Sequence, residues 1–358
     1  MFTCTIRHDF QSFSTAEKAH LRPKGHSIFL DLDWFALLAE HVLTPDQELR
    51  IYVVTKHGEE LPCLVLPCIA QKQRKGPLHW SKLCSLSNFY SMDYGPIVSD
   101  QVEDQAYDAL FDYIADERPG WAEIDFRMLP TDQEHIRRFI GACERHFGHS
   151  QLFFQFDNWV ISVKDQTAEE YMAARPSRLK NTYKRRRKKL EKEKGFTIRT
   201  YQDPDELDQA IADYFEIYDA SWKESEWSRP CMEAFIRLLA ERQMLHLGIL
   251  YIENEPVASF FLFIHADREA LIYKLAYKEG FNNYSPGTIL TTHMIEQAIN
   301  DHNITLIDYG VGNEKYKLDW MDTNLKRQGL NAYNHRLFSG KILILLQKIK
   351  NMVKKRNP

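Results

Sequence analysis

The chain contains 358 residues, of which 44% are hydrophobic, 13% aromatic and 27% charged. This composition is typical of a globular protein with enough apolar material for two domains, and it excludes disordered, collagen-like and low-complexity chains. No run approaches the roughly 18 consecutive apolar residues that a membrane-spanning helix needs. The first residues lack the basic start and apolar run of a secretory signal, and we therefore expect a cytoplasmic protein.

The cysteines and histidines show no pattern of a metal site. Six cysteines and fourteen histidines are present, without a Cys-x-x-Cys, His-x-x-x-His or His-Glu-x-x-His spacing. Six cysteines are also too few for a disulfide scaffold in a chain of this length. We therefore expect reduced, buried thiols and no structural metal.

The net charge of −4 conceals a strong asymmetry. Residues 175–194 carry eleven basic and two acidic side chains, and residues 341–358 carry six basic side chains and no acidic one. The remaining 320 residues therefore carry a formal charge of −19. Two basic segments on an acidic body need a structural or functional explanation.

Two sets of predicted elements follow the same order, one in each half of the chain. The first set comprises strands at 50–55 and 61–69, a helix at 102–115 and a strand at 122–129. The second set comprises strands at 245–252 and 256–265, a helix at 288–299 and a strand at 304–309. In each set a short polar turn joins the first two strands, as in a β-hairpin. The offset of about 183–196 residues predicts two copies of one α/β unit.

The remaining pattern predicts more helices and the limits of the domains. Further helices are predicted at 30–41, 133–147, 173–195, 206–222, 231–242 and 340–355. We expect a first domain at 1–165, a basic helical linker at 166–195, a second domain at 196–338 and a C-terminal basic amphipathic helix at 339–358.

One candidate site is the start of the helix that follows Tyr284. Ser285 is expected as the N-cap, and Pro286 fits the first helical position, where its missing N–H costs nothing. Gly287 allows close approach to the backbone, and the free N–H groups of the first turn form an anion site suited to a pyrophosphate. An ordinary, well-capped helix is the alternative interpretation of the same residues.

A second candidate site follows the strand that ends at Tyr309. Two glycines, Gly310 and Gly312, indicate a tight backbone directly after this strand. Acidic, basic and phenolic side chains then crowd into a short segment that runs to Trp320. Such a cluster supplies candidates for a general base, a general acid and a cationic clamp, whereas a surface loop with solvated charges is the alternative.

Four runs carry a resemblance to a known family. They are Tyr273-Lys274-Leu275-Ala276-Tyr277, Tyr284-Ser285-Pro286-Gly287, Asp308-Tyr309-Gly310 and Tyr316-Lys317-x-x-Trp320. These runs resemble the acetyltransferase-like domain of the GNAT superfamily. They are most similar to the branch found in exopolysaccharide- and cellulose-associated proteins and in the Fem-type aminoacyltransferases of peptidoglycan bridges. The resemblance is clear over 175–338, including the basic segment 178–194, and weaker over 1–165.

The resemblance implies a fold and a binding site. It implies an α/β fold of tandem GNAT-like units, the first one degenerate, each with a mixed sheet whose centre splays apart. In the second unit the opening admits acyl-CoA, and the pyrophosphate lies at Ser285, Pro286, Gly287 and Thr288. The chain departs from the usual glycine-rich loop of the superfamily, because it has a single glycine there, and it lacks the coiled-coil insertion of Fem-type enzymes. The first unit has Tyr94-Gly95-Pro96-Ile97 at this position and is expected to hold no cofactor.

The resemblance also implies a reaction, in which an amine attacks the thioester directly. We expect Asp308 to act as the base and Tyr316 to protonate the leaving thiolate. Lys317 is expected to neutralise a phosphate or carboxylate of the substrate, and Tyr273 and Trp222 are further candidate substrate contacts. A structural role for Asp308, as a hydrogen-bond acceptor, is the alternative.

Three functions stay open at this point. The first is an N-acyltransferase that uses acyl-CoA, without a metal, and an amine of a sugar, amino acid or cell-envelope precursor. The second is a Fem-like transferase that uses an aminoacyl-tRNA. The third is a non-catalytic GNAT-fold module in polysaccharide biosynthesis.

The basic segments also have more than one interpretation. The run 184–189 forms a solvated helix face, binds phosphates of CoA or of a nucleotide- or lipid-linked acceptor, or binds nucleic acid. Sequence-specific DNA binding is not expected, because aromatic residues do not alternate with the basic ones. The C-terminal helix rests on the anionic inner face of a membrane or docks on the core of its own protein.

Overall fold

A computed structural model describes residues 1–22, 27–312 and 314–356. The chain divides into two units. Unit 1 consists of Met1–Phe156 together with Lys326–Pro358, and unit 2 consists of Asp157–Leu325.

Strands and helices both occur throughout the described chain. The strands are β1 (Phe2–Arg7), β2 (Glu48–Lys56), β3 (Pro62–Lys75), β4 (Leu78–Ser85), β5 (Ile97–Val98), β6 (Glu123–Pro130), β7 (Ser150–Ser162), β8 (Thr197–Tyr201), β9 (Leu245–Ile252), β10 (Glu255–Ile264), β11 (Glu269–Tyr277), β12 (Leu306–Val311) and β13 (Thr323–Tyr333). The α-helices are α1 (Thr15–His20), α2 (Leu32–Val42), α3 (Asp104–Asp116), α4 (Glu134–Phe147), α5 (Ala168–Ala174), α6 (Ser177–Glu193), α7 (Leu207–Asp219), α8 (Arg229–Glu241), α9 (Pro286–His302) and α10 (Phe338–Arg356). Short 3-10 turns lie at Ile28–Leu30, Pro204–Glu206, Asn282–Tyr284 and Lys315–Asp319. No helix in the described ranges is long and apolar enough to cross a bilayer.

The sheet of unit 2 has the strand order β7-β12-β11-β10-β9-β8. All neighbours are antiparallel except β11 and β12, which run parallel. The parallel pair is short, since its register runs only from Glu269 opposite Leu306 to Leu271 opposite Asp308. Both strands continue beyond this point without pairing with each other, so the centre of the sheet splays apart as expected.

The sheet of unit 1 repeats this arrangement. Its order is β1-β2-β3-β4-β6-β13, with β5 paired to β3. The parallel pair is β4 with β6, and it also covers three residues, from Lys82 opposite Glu123 to Cys84 opposite Asp125. The predicted fold class, an α/β fold of two like units, is thereby confirmed.

The division into units differs from the predicted domain limits in two respects. From Lys326 onward, β13 belongs to unit 1, where it pairs antiparallel with β6 from Arg327 to Tyr333. The basic helix α6 lies within unit 2, not in a linker, because Leu179 and Leu190 are buried in the core of that unit. Both corrections come from contacts between residues that are distant in sequence, which local patterns do not show.

The core of unit 2 explains where its helices lie. Helix α9 buries Ile289, Leu290 and Met294 in the same cluster as residues of β9, β10 and β11. On the other side of the sheet, Tyr214 of α7 and Phe235 of α8 pack against Phe261 of β10. The splayed strands β11 and β12 therefore lie between α9 on one face and α7 with α8 on the other.

Candidate active site

Helix α9 begins with an unusual backbone conformation. Ser285 occupies the N-cap position with φ 51° and ψ 53°, which is the left-handed region that residues other than glycine rarely adopt. Its side chain makes no capping hydrogen bond, so the predicted capping by the Ser285 hydroxyl is wrong. An N-cap normally has extended backbone, from which its oxygen reaches the N–H groups of the first turn. The N–H groups of Gly287 and Thr288 consequently receive no side-chain cap from the residues that the structure describes.

Gly287 has a packing role at this helix start. A Cβ atom built on Gly287 would lie 3.1 Å from Cδ1 of Tyr277 and 3.8 Å from Cδ1 of Leu275. Contacts as short as the first force the neighbour to move. The close approach predicted for this glycine is therefore present, and the group that approaches is the ring of Tyr277.

Cationic side chains of α6 lie beside the turn that precedes α9. An N–H of the Arg186 guanidinium donates to the carbonyl oxygen of Asn283, whereas its buried Nε–H has no hydrogen-bond partner among the described residues. The Nζ atom of Lys189 lies 5.1 Å from the centroid of the Tyr284 ring. Basic side chains and uncapped N–H groups thus occur together at the start of α9, which favours an anion.

Hydrogen bonds to Asn158 and Gly310 help to hold the strand end at Asp308. The Asp308 carboxylate accepts from the backbone N–H of Gly310 at 2.6 Å and from Nδ2 of Asn158 at 2.9 Å. Asn158 lies on β7 and is fully buried. Gly310 and Gly312 have φ of 69° and 124°, which confirms the predicted tight backbone after this strand.

The buried side chain of Lys317 holds the turn after β12 together. Its Nζ donates to the carbonyl oxygen of Val311 at 2.7 Å and lies 3.3 Å from Oε2 of Glu314. The side chain is buried, and this burial lowers the pKa of Lys317. The ammonium group therefore fixes the backbone of the turn, and its contact with a substrate stays a prediction.

The turn at 315–320 is also fastened to α5 and α6. The carbonyl oxygen of Trp320 accepts from the Tyr171 hydroxyl at 3.1 Å and from Nη1 of Arg175 at 2.8 Å. Asp319 forms an ion pair with Arg178 at 2.8 Å. Basic and phenolic side chains of α5, its C-cap and α6 thus set the position of this turn.

A pocket of about 240 Å³ opens where β11 and β12 separate. Its lining residues come from the start of α9, from both splayed strands and from the turn at 315–320; they are Leu179, Trp222, Leu275, Tyr277, Gly287, Thr288, Thr291, Tyr309, Tyr316, Asp319 and Trp320. Of the predicted site residues, the structure brings Gly287, Thr288, Tyr316 and Trp222 together in this wall.

Tyr273 does not reach this pocket. It is 7% exposed and packs against the rings of Phe235 and Phe261, with centroids 5.4 and 5.2 Å away. A β-bulge explains this placement, because Phe261 pairs with Lys274 and Leu262 with Ile272, so the register between β10 and β11 skips Tyr273. An extra residue of this kind reverses the alternation of side chains along the strand.

Two buried hydroxyl groups in the pocket wall have no hydrogen-bond partner among the residues that the structure describes. They belong to Tyr309 on β12 and Thr291 on α9. The Thr291 hydroxyl moderates the rise that burial causes in the pKa of Tyr309, but the geometry between them does not meet that of a hydrogen bond. Buried polar groups without partners are rare and costly, so these two favour a polar ligand in the pocket.

Tyr316 stands at the edge of the pocket. Its side chain is 41% exposed, and its ring lies edge-on to that of Tyr309 with centroids 5.8 Å apart. Desolvation, followed by the charge of Glu314, raises the pKa of Tyr316 above its ordinary value. The hydroxyl therefore keeps its proton at neutral pH, as a proton donor must.

Sequence reasoning missed three residues of this region. Asn158 precedes Asp308 by 150 positions, and no local pattern relates the two. Thr291 follows Gly287 by four positions, and this spacing on one helix face is the signal that predicts a shared pocket wall. Lys223 lies next to Trp222 in the loop between α7 and α8, where no motif marks it.

Residues 177–318 match the family model described as the acetyltransferase (GNAT) domain. This segment of unit 2 is a GNAT acetyltransferase domain. The match covers the basic helix α6, the splayed strands and most residues of the pocket wall, and it confirms the expected enzyme class, an acyltransferase. No curated protein matches the sequence of the chain at a significant level.

Solved structures share the fold of the chain at low sequence identity. The crystal structure of FemX is similar with a TM-score of 0.61 and 12% identity, over 93% of this chain and 98% of that chain. L-PGS from Bacillus licheniformis is similar with a TM-score of 0.52 and 10% identity, over 93% and 95%. The C-terminal domain of a putative lysylphosphatidylglycerol synthetase from Agrobacterium fabrum gives a TM-score of 0.50 and 11% identity, over 87% and 90%. Because all three identities are low, these similarities show the fold alone. The assignment to the acyltransferases rests on the match to the GNAT family model.

Proposed function

We propose that the GNAT domain transfers an acyl group from acyl-CoA to an amine of a sugar, an amino acid or a cell-envelope precursor. One observation carries this proposal: the pocket between the splayed strands meets the uncapped N–H groups of Gly287 and Thr288. A narrow pocket suits the extended arm of a thioester, and a helix start suits a diphosphate.

The polar groups around the pocket fit such a donor. The N–H groups at the start of α9, with Arg186 and Lys189 beside them, would hold the phosphates. The hydroxyls of Tyr309 and Thr291 would serve the amide and carbonyl groups of the arm, because neither has a partner within the described part of the chain. The bound thioester supplies the acyl group, and side chains of this protein carry out the proton transfers.

Two of those steps are proton transfers. As the amine nitrogen bonds to the acyl carbon and the carbon–sulfur bond breaks, the nitrogen loses a proton and the sulfur gains one. Asp308, held in place by Asn158 and Gly310, is the proposed acceptor of the first proton. Tyr316, which is protonated at neutral pH, is the proposed donor of the second.

Calorimetry with two acetyl donors tests this proposal. We expect acetyl-CoA to bind at least tenfold more tightly than acetylpantetheine, which lacks the diphosphate and nucleotide. A series of longer acyl-CoAs then defines the acyl chain. If the folded protein binds none of these thioesters, the proposal is wrong.

A second candidate function uses an aminoacyl-tRNA as the donor, and a stripe of cations on α6 favours it. Arg185, Lys188 and Lys192 follow one exposed face of this helix, and none forms an ion pair in the described structure. Free cations spaced along a helix suit a row of phosphates. Steeply salt-dependent tRNA binding that disappears when Arg185–Lys189 are neutralised would favour this donor over CoA.

A non-catalytic module in polysaccharide biosynthesis has less support. Such a module is expected to have an occluded cleft, with Asp308 and Tyr316 directed into the core. The pocket is open instead, and Tyr316 lies at its edge. Binding of a donor without turnover of any amine would restore this third candidate.

Helix α10 favours a lipid surface as an additional partner. Phe338, Leu345, Ile349 and Met352 are exposed apolar residues on this helix, and lysines lie between them. An amphipathic helix with apolar and basic side chains suits the interface of an anionic bilayer. We therefore propose that α10 makes peripheral contact with an anionic membrane.

A further inference from the structure

A cluster of charged residues lies where the loop between α7 and α8 meets β11. The Nζ atom of Lys274 lies 2.6 Å from Oε1 of Glu226, and the Tyr214 hydroxyl donates to the same oxygen at 2.6 Å. The Glu226 side chain is 2% exposed. Lys274 faces α7 and α8, whereas the next residue, Leu275, faces Gly287 and the pocket. The cluster therefore lies on the face of β11 opposite the start of α9.

Lys223 adds a second cation to this cluster. The Nζ atoms of Lys223 and Lys274 lie 5.6 and 5.0 Å from the centroid of the same ring, that of Tyr218. Glu226 is engaged by Lys274, and no carboxylate forms an ion pair with Lys223 in the described part of the chain. Lys223 therefore adds to this cluster a cation without an ion pair among the described residues.

The neighbouring charges do not balance Lys223. Glu314 and Lys317, the next charged groups, form a pair of their own at 3.3 Å. Burial, followed by repulsion from Lys274, lowers the pKa of Lys223 to about 8, although Glu226 and Glu314 act in the opposite direction. An anion that approaches a half-buried ammonium group in these surroundings stabilises its charged form.

The position of Lys223 relates this cation to the pocket. Trp222, its neighbour in sequence, lines the pocket and packs on the Tyr277 ring with centroids 4.4 Å apart. The Nζ atom of Lys223 lies 5.9 Å from the centroid of the Trp222 ring. The cation thus lies beside Trp222, which forms part of the pocket wall.

We propose that Lys223, supported by Lys274, binds an oxyanion of the acceptor, a carboxylate or a phosphate. This inference rests on the proposed function and narrows its substrate class to amines that carry an anionic group, such as amino acids or amino sugar phosphates. A donor held at α9 and an acceptor held at Lys223 would meet where the two strands separate. Lys223 would then select the acceptor through its charge.

A binding experiment without turnover tests the site itself. The lysines of the full chain are dimethylated with ¹³C, and their NMR signals are followed while sodium acetate or inorganic phosphate is added at constant ionic strength. The Lys223 signal is identified by its absence in Lys223→Arg, and the exposed Lys164 is the reference. We expect the Lys223 signal to move with saturation and its titration midpoint to rise, whereas Lys164 stays unchanged. The anion that saturates at lower concentration identifies the preferred group, and equal responses of Lys223 and Lys164 would overturn the proposal.

A kinetic experiment tests whether Lys223 selects the acceptor. Acceptor pairs that differ only in the anionic group, such as an amino acid and its amide or glucosamine 6-phosphate and glucosamine, are compared in wild-type protein, Lys223→Met, Lys223→Arg and Lys164→Met. We expect at least a tenfold preference in kcat/KM for the anionic member, absent in Lys223→Met and kept in Lys223→Arg and Lys164→Met. Arginine keeps the charge and cannot act as a base at neutral pH, so absence of the preference in Lys223→Arg would contradict anion binding.

Donor calorimetry separates this inference from the proposed function. If acetyl-CoA fails to bind while the Lys223 signal responds to anions, the proposed function is wrong and the anion site stands. If acetyl-CoA binds while the Lys223 signal does not respond, the anion site is wrong and the proposed function stands.

Discussion

Asp308 and Asp125 occupy equivalent positions in the two units. Each is the last residue of its strand to pair with the parallel neighbour, opposite Leu271 in unit 2 and Cys84 in unit 1. The hydrogen bonds of Asp308 include those from Asn158 and the backbone N–H of Gly310. Asp125 forms ion pairs with Lys82 and Arg127, both at 2.5 Å. Unit 1 therefore places two cations on the carboxylate at the position where unit 2 supplies an amide and a backbone N–H.

This comparison predicts opposite outcomes for two matched substitutions. Asp308→Asn removes the proposed base and is expected to lower kcat by about 10²–10⁴-fold, with little change in acetyl-CoA affinity or unfolding free energy. Asp125→Asn removes the buried carboxylate that pairs with Lys82 and Arg127, although Lys82 keeps Glu123 at 3.6 Å. This substitution is expected to cost about 2 kcal/mol of stability, with little effect on turnover. Steady-state kinetics and denaturant unfolding measure both. Full activity of Asp308→Asn would assign Asp308 the structural role instead.

Gly287→Ala is expected to weaken donor binding. The new Cβ atom would meet Tyr277 Cδ1 at 3.1 Å, so the ring that lines the pocket must move. We expect acetyl-CoA affinity to fall by about tenfold, while the helix propensity of alanine offsets part of the strain in the fold. Calorimetry measures the affinity, and thermal unfolding the stability.

Gly141→Ala in α4 is the matched control for this substitution. A Cβ atom there meets its nearest neighbour, Nη1 of Arg145, at an ordinary 3.6 Å. We expect this variant to gain about 0.5–1 kcal/mol of stability and to bind acetyl-CoA as wild-type protein does. Equal donor affinities of the two variants would contradict the role given to the start of α9.

His246 predicts a pH dependence of stability. This side chain is buried on β9, contacts Gln202 and lies with its ring 4.4 Å from that of His302. Burial, followed by the charge of His302, lowers the pKa of His246 to about 4. The unfolded chain therefore binds a proton between pH 6.5 and 4 that the folded chain does not, so stability falls as the pH falls through this range.

The size of this effect follows from the pKa difference. At about 1.4 kcal/mol for each pKa unit, His246 contributes on the order of 3 kcal/mol between pH 7 and pH 4. Denaturant unfolding of wild-type protein and His246→Asn across this range measures it. A parallel decline in both proteins would show that other groups cause the loss of stability.

The exposed face of α6 is expected to bind a polyanion. Substituting Arg185, Lys188 and Lys192 by glutamine should reduce the slope of log affinity against log salt by about one for each phosphate that the helix no longer binds. Fluorescence anisotropy with tRNA measures this slope. The control is Arg187→Gln on the same helix, because Arg187 already pairs with Glu191 at 2.9 Å and should contribute less. An unchanged slope in the triple variant would leave α6 as a solvated face.

Helix α10 is expected to bind anionic vesicles. Wild-type protein should sediment with vesicles that contain phosphatidylglycerol and remain in solution with phosphatidylcholine alone. Replacing the exposed Leu345 and Ile349 by serine should abolish sedimentation, since it removes the apolar side chains and leaves the lysines. Sedimentation that survives the double substitution would assign the binding to charge alone.

Elements that depend on local patterns were predictable from the sequence. Helices such as α4 and α9 were predicted within a few residues, because apolar positions recur at helical spacing and glycine or proline marks their ends. The repeat was predicted because both hairpins and both following helices keep the same order. The strand β13 was missed, since its pairing with β6 joins residues about 200 positions apart.

The details of the site were less predictable for related reasons. Tyr273 was expected at the substrate, but a bulge opposite Phe261 turns it into the core. Ser285 was expected to cap α9, but its left-handed backbone prevents this. The glycines at 310 and 312 were interpreted correctly, because a positive φ selects glycine without regard to distant contacts.

The place of β13 has a consequence for the order of assembly during synthesis. A ribosome makes residues 157–325 before it reaches Lys326, so every strand of unit 2 has been translated while unit 1 still lacks one of its strands. The sheet of unit 1, whose first strands are synthesised first, is therefore completed only after the strand residues from Lys326 onward have been made. Until then β6 has an unpaired edge. A product truncated before Lys326 would expose this edge, which can pair with strands of other chains.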